Sequence, residues 1–398
     1  MRWFGIEEQF LVVGARTLAP LSVAEEIAAA GSGVGRWASV ARPIPVEILR
    51  SRAEASRSHH LHAGLHQEQL DVIGPPVPSF GEQLEAIRRG RELAASAATH
   101  LSARVVALGS PVSPRLPHVT GDVFQRRVEA HFGLLAREQL TCGTHVHVEI
   151  ASREEGVQVL DRMRVWLHVL LAMSANSPFW YGLDSSFASF RYPSWSRWPT
   201  AGPTEVHGSV AAYDSAAEAL VRAGGAIDVD MLNYDARLCD HAPTLEVRVA
   251  DGCPDARHAA ALASITRALV ETAARQWEGG VDPLPAPAGE LRAWAWHAAR
   301  HGLDGTLMSP LAGHPMPAAA VVRQLLQLVG PVLDESGELG VVTETAGRLL
   351  GDGPGYVTQR RAYSVREDLR DVVDAMLRLT HGIRPPDEPV EHDLPVSA

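Results

Sequence analysis

Residues 244–251 read Thr-Leu-Glu-Val-Arg-Val-Ala-Asp, and strand alternation sorts an acid and a guanidinium onto one face. Leu245, Val247 and Val249 point to a core, so Glu246 and Arg248 share the opposite face with Thr244 and Ala250. A carboxylate is a hard ligand for Mg²⁺, and the arginine fork matches a phosphate or carboxylate. The pair can therefore clamp a phosphate bridged by metal. On one isolated strand, a solvated ion pair is the simpler account.

The arrangement recurs. Along 5–13, Glu7 and Gln9 lie opposite Ile6, Phe10 and Val12, while Glu8 falls on the apolar side. In 141–150, His145, His147 and Glu149 line one face and Thr144, Val146, Val148 and Ile150 the other. In 67–73, Gln69 and Asp71 oppose Leu70 and Val72. Four strands with ligand-type faces predict a sheet curved around a wet cation site, because so many charges buried without counter-ions would be costly.

The elements that must position these faces belong to a 398-residue chain, 46% hydrophobic and 21% charged, enough for an ample core. Its formal charge of -11, without a basic run, gives nucleic-acid binding no electrostatic support. Glu7 and Glu8 interrupt any amino-terminal apolar stretch, and the greasiest segment, 165–173, is too short for a bilayer. A cytoplasmic protein without membrane partners is expected. Cys142, Cys239 and Cys253 are an odd count without zinc spacing, so neither a disulfide framework nor a structural zinc is indicated.

In chain order, 21–50 suggests a helix, then a strand and loop. His59, His60, His62 and His66 resemble a metal tract but lack a third anchored ligand. Ser79 and Glu82 have capping-box spacing for a helix to about 101; Ser152 and Glu155 open another through Met173, and Ser364 and Glu367 a third from 364 to 379. A strand over 104–109 and helices over 123–140, 256–276, 289–301 and 317–329 complete the reading, the last with Gly330 past its end. The stretch 179–203 interleaves eight aromatic residues with Asp184, Arg191 and Arg197, as a substrate cover or an aromatic core patch would. Pro283, Pro285 and Pro287 separate a core over 1–280 from a helical part over 288–382, together one integrated domain, with a disordered tail over 383–398.

Together these pieces resemble the carboxylate-amine ligases of the glutamate-cysteine ligase type 2 family along nearly the whole chain. The likeness rests on Gly5-Ile6-Glu7-Glu8-Gln9, Gln69-Leu70-Asp71, Cys142 to Val148, Ser174 to Pro203 and Thr244 to Asp251. It implies a glutamine-synthetase-like α+β fold, a curved and mainly antiparallel sheet forming a funnel with helices outside. It also implies ATP with Mg²⁺ or Mn²⁺, and an amino-acid carboxylate joined to an amine through an acyl phosphate. Carried over by position, Glu7, Gln9, Asp71, His145 and Glu246 are metal-site residues and Arg248 a phosphate or carboxylate contact. Arg191, Arg197 and Arg237 become anion contacts, with Asn176, Trp195, Tyr234, Gln359 and Arg360 on the substrate and nucleotide side. A homodimer is one assembly open to the chain.

Two departures stand out: Gln9 replaces a second strand carboxylate, and Asp71 the usual glutamate. Gln9 removes a full negative charge, which weakens or deletes one metal position. A non-catalytic nucleotide- or amino-acid-binding homologue is therefore the competing reading. A zinc hydrolase on His145 and His147 has weaker footing, since two ligands two apart on a strand lack supporting cysteines.

Overall fold

The computed structural model describes residues 1–31, 58–240 and 242–383. The reading of 21–50 is met by a helix, Ala24–Gly31, and otherwise lies outside the described residues, as does the tail from 384 onward. The centre is β1 (Phe4–Gly14), whose only half-buried positions are Glu7 and Gln9. Around it come β2 (His60–Ala63), β3 (Gln69–Ile73), β4 (Ala103–Val106), β5 (Gly143–Glu149), the short hairpin β6 (Phe179–Trp180) and β7 (Leu183–Asp184), β8 (Ala236–Leu238) and β9 (Thr244–Asp251). The main sheet runs β2-β3-β1-β5-β9-β8, with β4 also on β1, every pair antiparallel. With its many helices this is the α+β class expected.

One face of the sheet is apolar for the reason the alternation gives. Phe4 and Ile6 of β1, Val146 and Val148 of β5, and Leu245, Val247 and Val249 of β9 enter one large core. The helices Phe80–Thr99 and Ala256–Glu278 supply Leu84, Ile87, Leu262, Ile265 and Leu269 to it. Ser79 caps the first of these by accepting from Glu82 N, as its spacing predicts. The opposite face is split. Leu11 and Val13 pack under Val372, Val373 and Met376 of the helix Leu369–Thr380, leaving Glu7 and Gln9 for other work.

Glu8 takes the apolar side, as parity requires, and is neutralised there. Arg91 holds it through Nη2–Oε1 at 2.6 Å and Nε–Oε2 at 3.1 Å. Several boundaries differ from expectation. Gly133, at φ 57°, splits the 123–140 helix into Val123–Phe132 and Leu134–Glu138, a conformation glycine adopts without penalty. The helix from Ala318 runs to Glu335 with Pro331 inside it, so Gly330 ends nothing. Ser364 lies inside Gly355–Arg366, and the final helix is capped by Asp368 instead. Among the described residues no helix is long and apolar enough to cross a membrane.

The histidine tract disperses. His59 donates to Ala86 O and His66 to Ala136 O, while His60 and His62 are exposed on the edge strand β2. Burial lowers His66 to about 4 and does the same to His168, whose Nε2 donates to Met308 O. Unfolded histidine takes its proton near pH 6.5, so the unfolded chain binds more protons between 6.5 and 4. The stability of these neutral sites is complete above 6.5 and lost as pH falls to 4, by on the order of 3 kcal/mol per histidine at most. Urea midpoints at pH 7 and 4.5 should show this fall, and His66→Gln with His168→Gln should flatten it. An equal fall in the double variant would refute the assignment.

Candidate active site

Register brings the polar faces together. Across β1 and β5, Glu7 pairs with His145 and Gly5 with His147; across β5 and β9, His147 pairs with Glu246; across β8 and β9, Arg237 pairs with Glu246; across β1 and β3, Gln9 pairs with Asp71. Residues directly opposite on antiparallel strands share a face, so all of these line one surface. A bulge opposite Thr144 to Val146 adds a residue to β9. It turns Ala250 into the core with Thr144, correcting the simple alternation, and brings Asp251 onto the site face opposite Gly143.

Glu246 is the crossroads. Only 2% exposed, it accepts from Arg237 Nε at 2.7 Å and from Arg248 Nη1, while His145 Nδ1 stands 3.5 Å and His147 Nε2 3.9 Å from its Oε1. Burial opposes its ionisation, but Arg237 and Arg248 outweigh burial and hold the carboxyl well below the usual range. Arg237 is itself fixed by the carbonyls of Asp230 and Leu232. Glu7 lies 3.6 Å from His145 Nδ1, and despite burial its histidine neighbours keep it ionised. Burial first, then Arg248, push His145 below its ordinary value, against the pull of the Glu7 and Glu246 carboxylates. Its Nδ1 faces both carboxylates, and its Nε2 has no hydrogen-bond partner.

Ligand atoms of Glu7, His147 and Glu246 lie within 4.8 Å of one another, with the His145 ring against both carboxylates. Two carboxylates beside imidazole nitrogens suit a divalent ion such as Mg²⁺ or Mn²⁺. His147 is the residue left out when His145 alone was carried over. Its signal was present, since it shares the His145 face and stands opposite Glu246.

Gln9 and Asp71 are occupied differently. Gln9 Oε1 accepts from Gly143 N at 2.9 Å, which turns its amide nitrogen to Asp71. Gln69 Nε2 donates to Asp71 Oδ1 at 3.0 Å. Burial, and then the Glu7 charge, raise Asp71 to about 8. Gln9, expected as a metal-site residue, thus turns its carbonyl oxygen to the Gly143 backbone and its amide nitrogen to Asp71.

Trp195 belongs to the site's wall, with the guanidinium carbons of Arg191 and Arg248 each 5.4 Å from its ring. Arg191 is not a free anion contact. It is 1% exposed, donates to Val249 O and Arg248 O, and stands 3.8 Å from Asp251. Asp251 accepts from Asn176 N, Ser177 Oγ and Ser189 Oγ, fastening the 174–191 segment to β9. A Cβ on Gly143 would sit 2.3 Å from Arg191 Nη2. Gly143→Ala should therefore lower the urea midpoint, by about 1–3 kcal/mol of overpacking; an unchanged midpoint would show that Arg191 yields freely.

The remaining anticipated contacts hold the chain to itself. Asn176 Nδ2 donates to Ala107 O and Gly252 O, and Gln359 Nε2 donates to Asn176 O and Oδ1, docking the helix Gly355–Arg366. Tyr234 is buried in the main core, Arg360 pairs with Asp184, and Arg197 with Glu138. Such partners are set by tertiary contact and leave no local mark in sequence. Cys142 and Cys253 are buried, and burial raises both thiols, Cys253 to about 12, which removes them as nucleophiles.

Comparison with known proteins follows the same outline. The family model described as glutamate-cysteine ligase family 2 matches residues 3–375. A protein of Frankia alni named "Putative glutamate--cysteine ligase 2-2" is 40% identical over 389 residues, 97% of this chain and 99% of that one. A Paenarthrobacter aurescens protein of the same kind, 2-1, is 41% identical over 382 residues, 96% of each. Among solved structures, the glutamate–cysteine ligase of Francisella tularensis in complex with AMP superposes with a TM-score of 0.67 at 11% identity, covering 98% of this chain and 90% of that one. A bifunctional glutathione synthetase from Pasteurella multocida gives 0.64 at 14%, covering 96% and 52%. At such identities the two structures speak for the fold.

Proposed function

The chain belongs to glutamate-cysteine ligase family 2, and from that membership and the site's geometry we propose that it is an ATP-dependent carboxylate-amine ligase. ATP phosphorylates an amino-acid side-chain carboxylate, glutamate's γ-carboxylate first among them; an amine attacks the acyl phosphate, and an amide, ADP and phosphate leave. The observation that carries this reading is the convergence of Glu7, His145, His147 and Glu246 on one sheet face beside two arginines. No nucleophilic side chain is needed, and the buried thiols offer none.

The partnerless Nε2 of His145 and the close ligand atoms of Glu7, His147 and Glu246 fit a divalent ion. Bound there, such an ion neutralises phosphate charge and favours departure of the leaving group. The chain's own groups supply orientation. Arg237, anchored by two carbonyls, fixes the Glu246 carboxylate, and Arg248, beside the face of Trp195, offers a guanidinium to a phosphate or carboxylate.

ADP release should require divalent cation, an amino acid and an amine together. Tight nucleotide binding with no ADP across a broad panel of amino acids and amines would turn the conclusion to a binding homologue.

A further inference from the structure

We propose that the protein supplies ligands for a single divalent ion, at Glu7, His147 and Glu246, and that the neighbouring Asp71 position is closed to metal by a strap of two glutamine amides. This rests on reading the face as a metal site. A carboxylate keeps spare lone pairs beside one or two donors, so a site is set by which other ligand atoms converge on it, and here the two halves of the face differ. On the Glu7 half, ligand atoms of Glu7, His147 and Glu246 cluster within 4.8 Å, although Glu246 also accepts from Arg237 and Arg248, and the buried His145 Nε2 has no hydrogen-bond partner. On the Asp71 half, the groups are spent on each other.

Gln9 is the determinant. Its carbonyl oxygen takes the buried Gly143 N–H at 2.9 Å, so the end it turns to Asp71 is an NH₂ group. Gln69 adds a second NH₂ at 3.0 Å, and the absence of a side chain at Gly64 makes room for it, since a Cβ there would lie 2.7 Å from the amide. The NH₂ groups converging on Asp71 occupy its oxygens and turn hydrogens, not lone pairs, to a cation. Turning the Gln9 amide over would offer an oxygen, but it would strand the Gly143 N–H, which lies inside the β5 edge of the site. A glutamate at position 9 removes that conflict, because it can accept from Gly143 N with one oxygen and face Asp71 with the other.

Mn²⁺ titration of the full chain without nucleotide, read by loss of the free-ion EPR signal, decides the matter, with circular dichroism confirming each variant folded. We expect one ion per chain in the unsubstituted protein and in Asp71→Asn with its affinity within threefold, and two in Gln9→Glu. Two ions in the unsubstituted protein, a loss of binding of tenfold or more in Asp71→Asn, or a count that stays at one in Gln9→Glu would each overturn the strap. No bound ion at all, even in Gln9→Glu, would instead remove the metal reading on which it rests.

Discussion

Glu246→Gln is expected to suppress ADP formation roughly a thousandfold or more, a barrier increase of about 4 kcal/mol, although the side chain keeps nearly the same shape. The carboxylate pairs with both Arg237 and Arg248, and it also faces His145 and His147. An amide cannot neutralise both guanidinia and presents an N–H where an oxygen is needed. The two cations then face each other in a buried site, and an ion held by Glu7 and His147 as proposed would lose a charged ligand. Glu246→Asp, which keeps the charge on a shorter arm, should recover part of the activity. The assay is coupled ADP release at saturating cation, with near-native circular dichroism required of each variant. Retention of a tenth of the activity in Glu246→Gln would mean that Glu246 only braces the arginines.

The same residue shows why much of this site was legible in the chain. A strand's period of two makes face assignment a matter of counting, and Glu7, His145, His147 and Glu246 fall on one surface by counting alone. Counting fails where the ladder gains a residue. The bulge in β9 reverses parity after Arg248, which is why Ala250 enters the core and Asp251 emerges to lock the 174–191 segment. Nothing in Val-Ala-Asp announces that insertion, because it depends on the partner strand. Arginines and amides are harder still. Arg191, Arg197, Arg360, Asn176 and Gln359 have the chemistry of anion contacts, yet each is bound to a carbonyl or carboxylate of its own chain. Long polar side chains reach partners far away in sequence, so their type predicts what they can bind and not what they do bind.

Glu8 is the converse case, an acid on the wrong face whose partner only the fold reveals. Arg91→Met should destabilise the chain by about 3–5 kcal/mol, the usual cost of leaving a buried charge alone. Arg91 and Glu8 are 3% exposed each, and the arginine also donates to Cys253 O, Pro254 O and Thr380 O. One guanidinium thereby ties β1, the helix Phe80–Thr99, the segment after β9 and the end of the helix Leu369–Thr380. Adding Glu8→Leu to Arg91→Met removes the stranded carboxylate and should return stability, but only in part, since three buried carbonyls still lack a donor. The double-mutant cycle from urea denaturation should therefore give a coupling of roughly 2 kcal/mol or more together with a residual loss in the double variant. Full recovery would assign the whole effect to the ion pair. A single variant within 1 kcal/mol of the parent would mean that water reaches Glu8, which its burial beneath the sheet argues against.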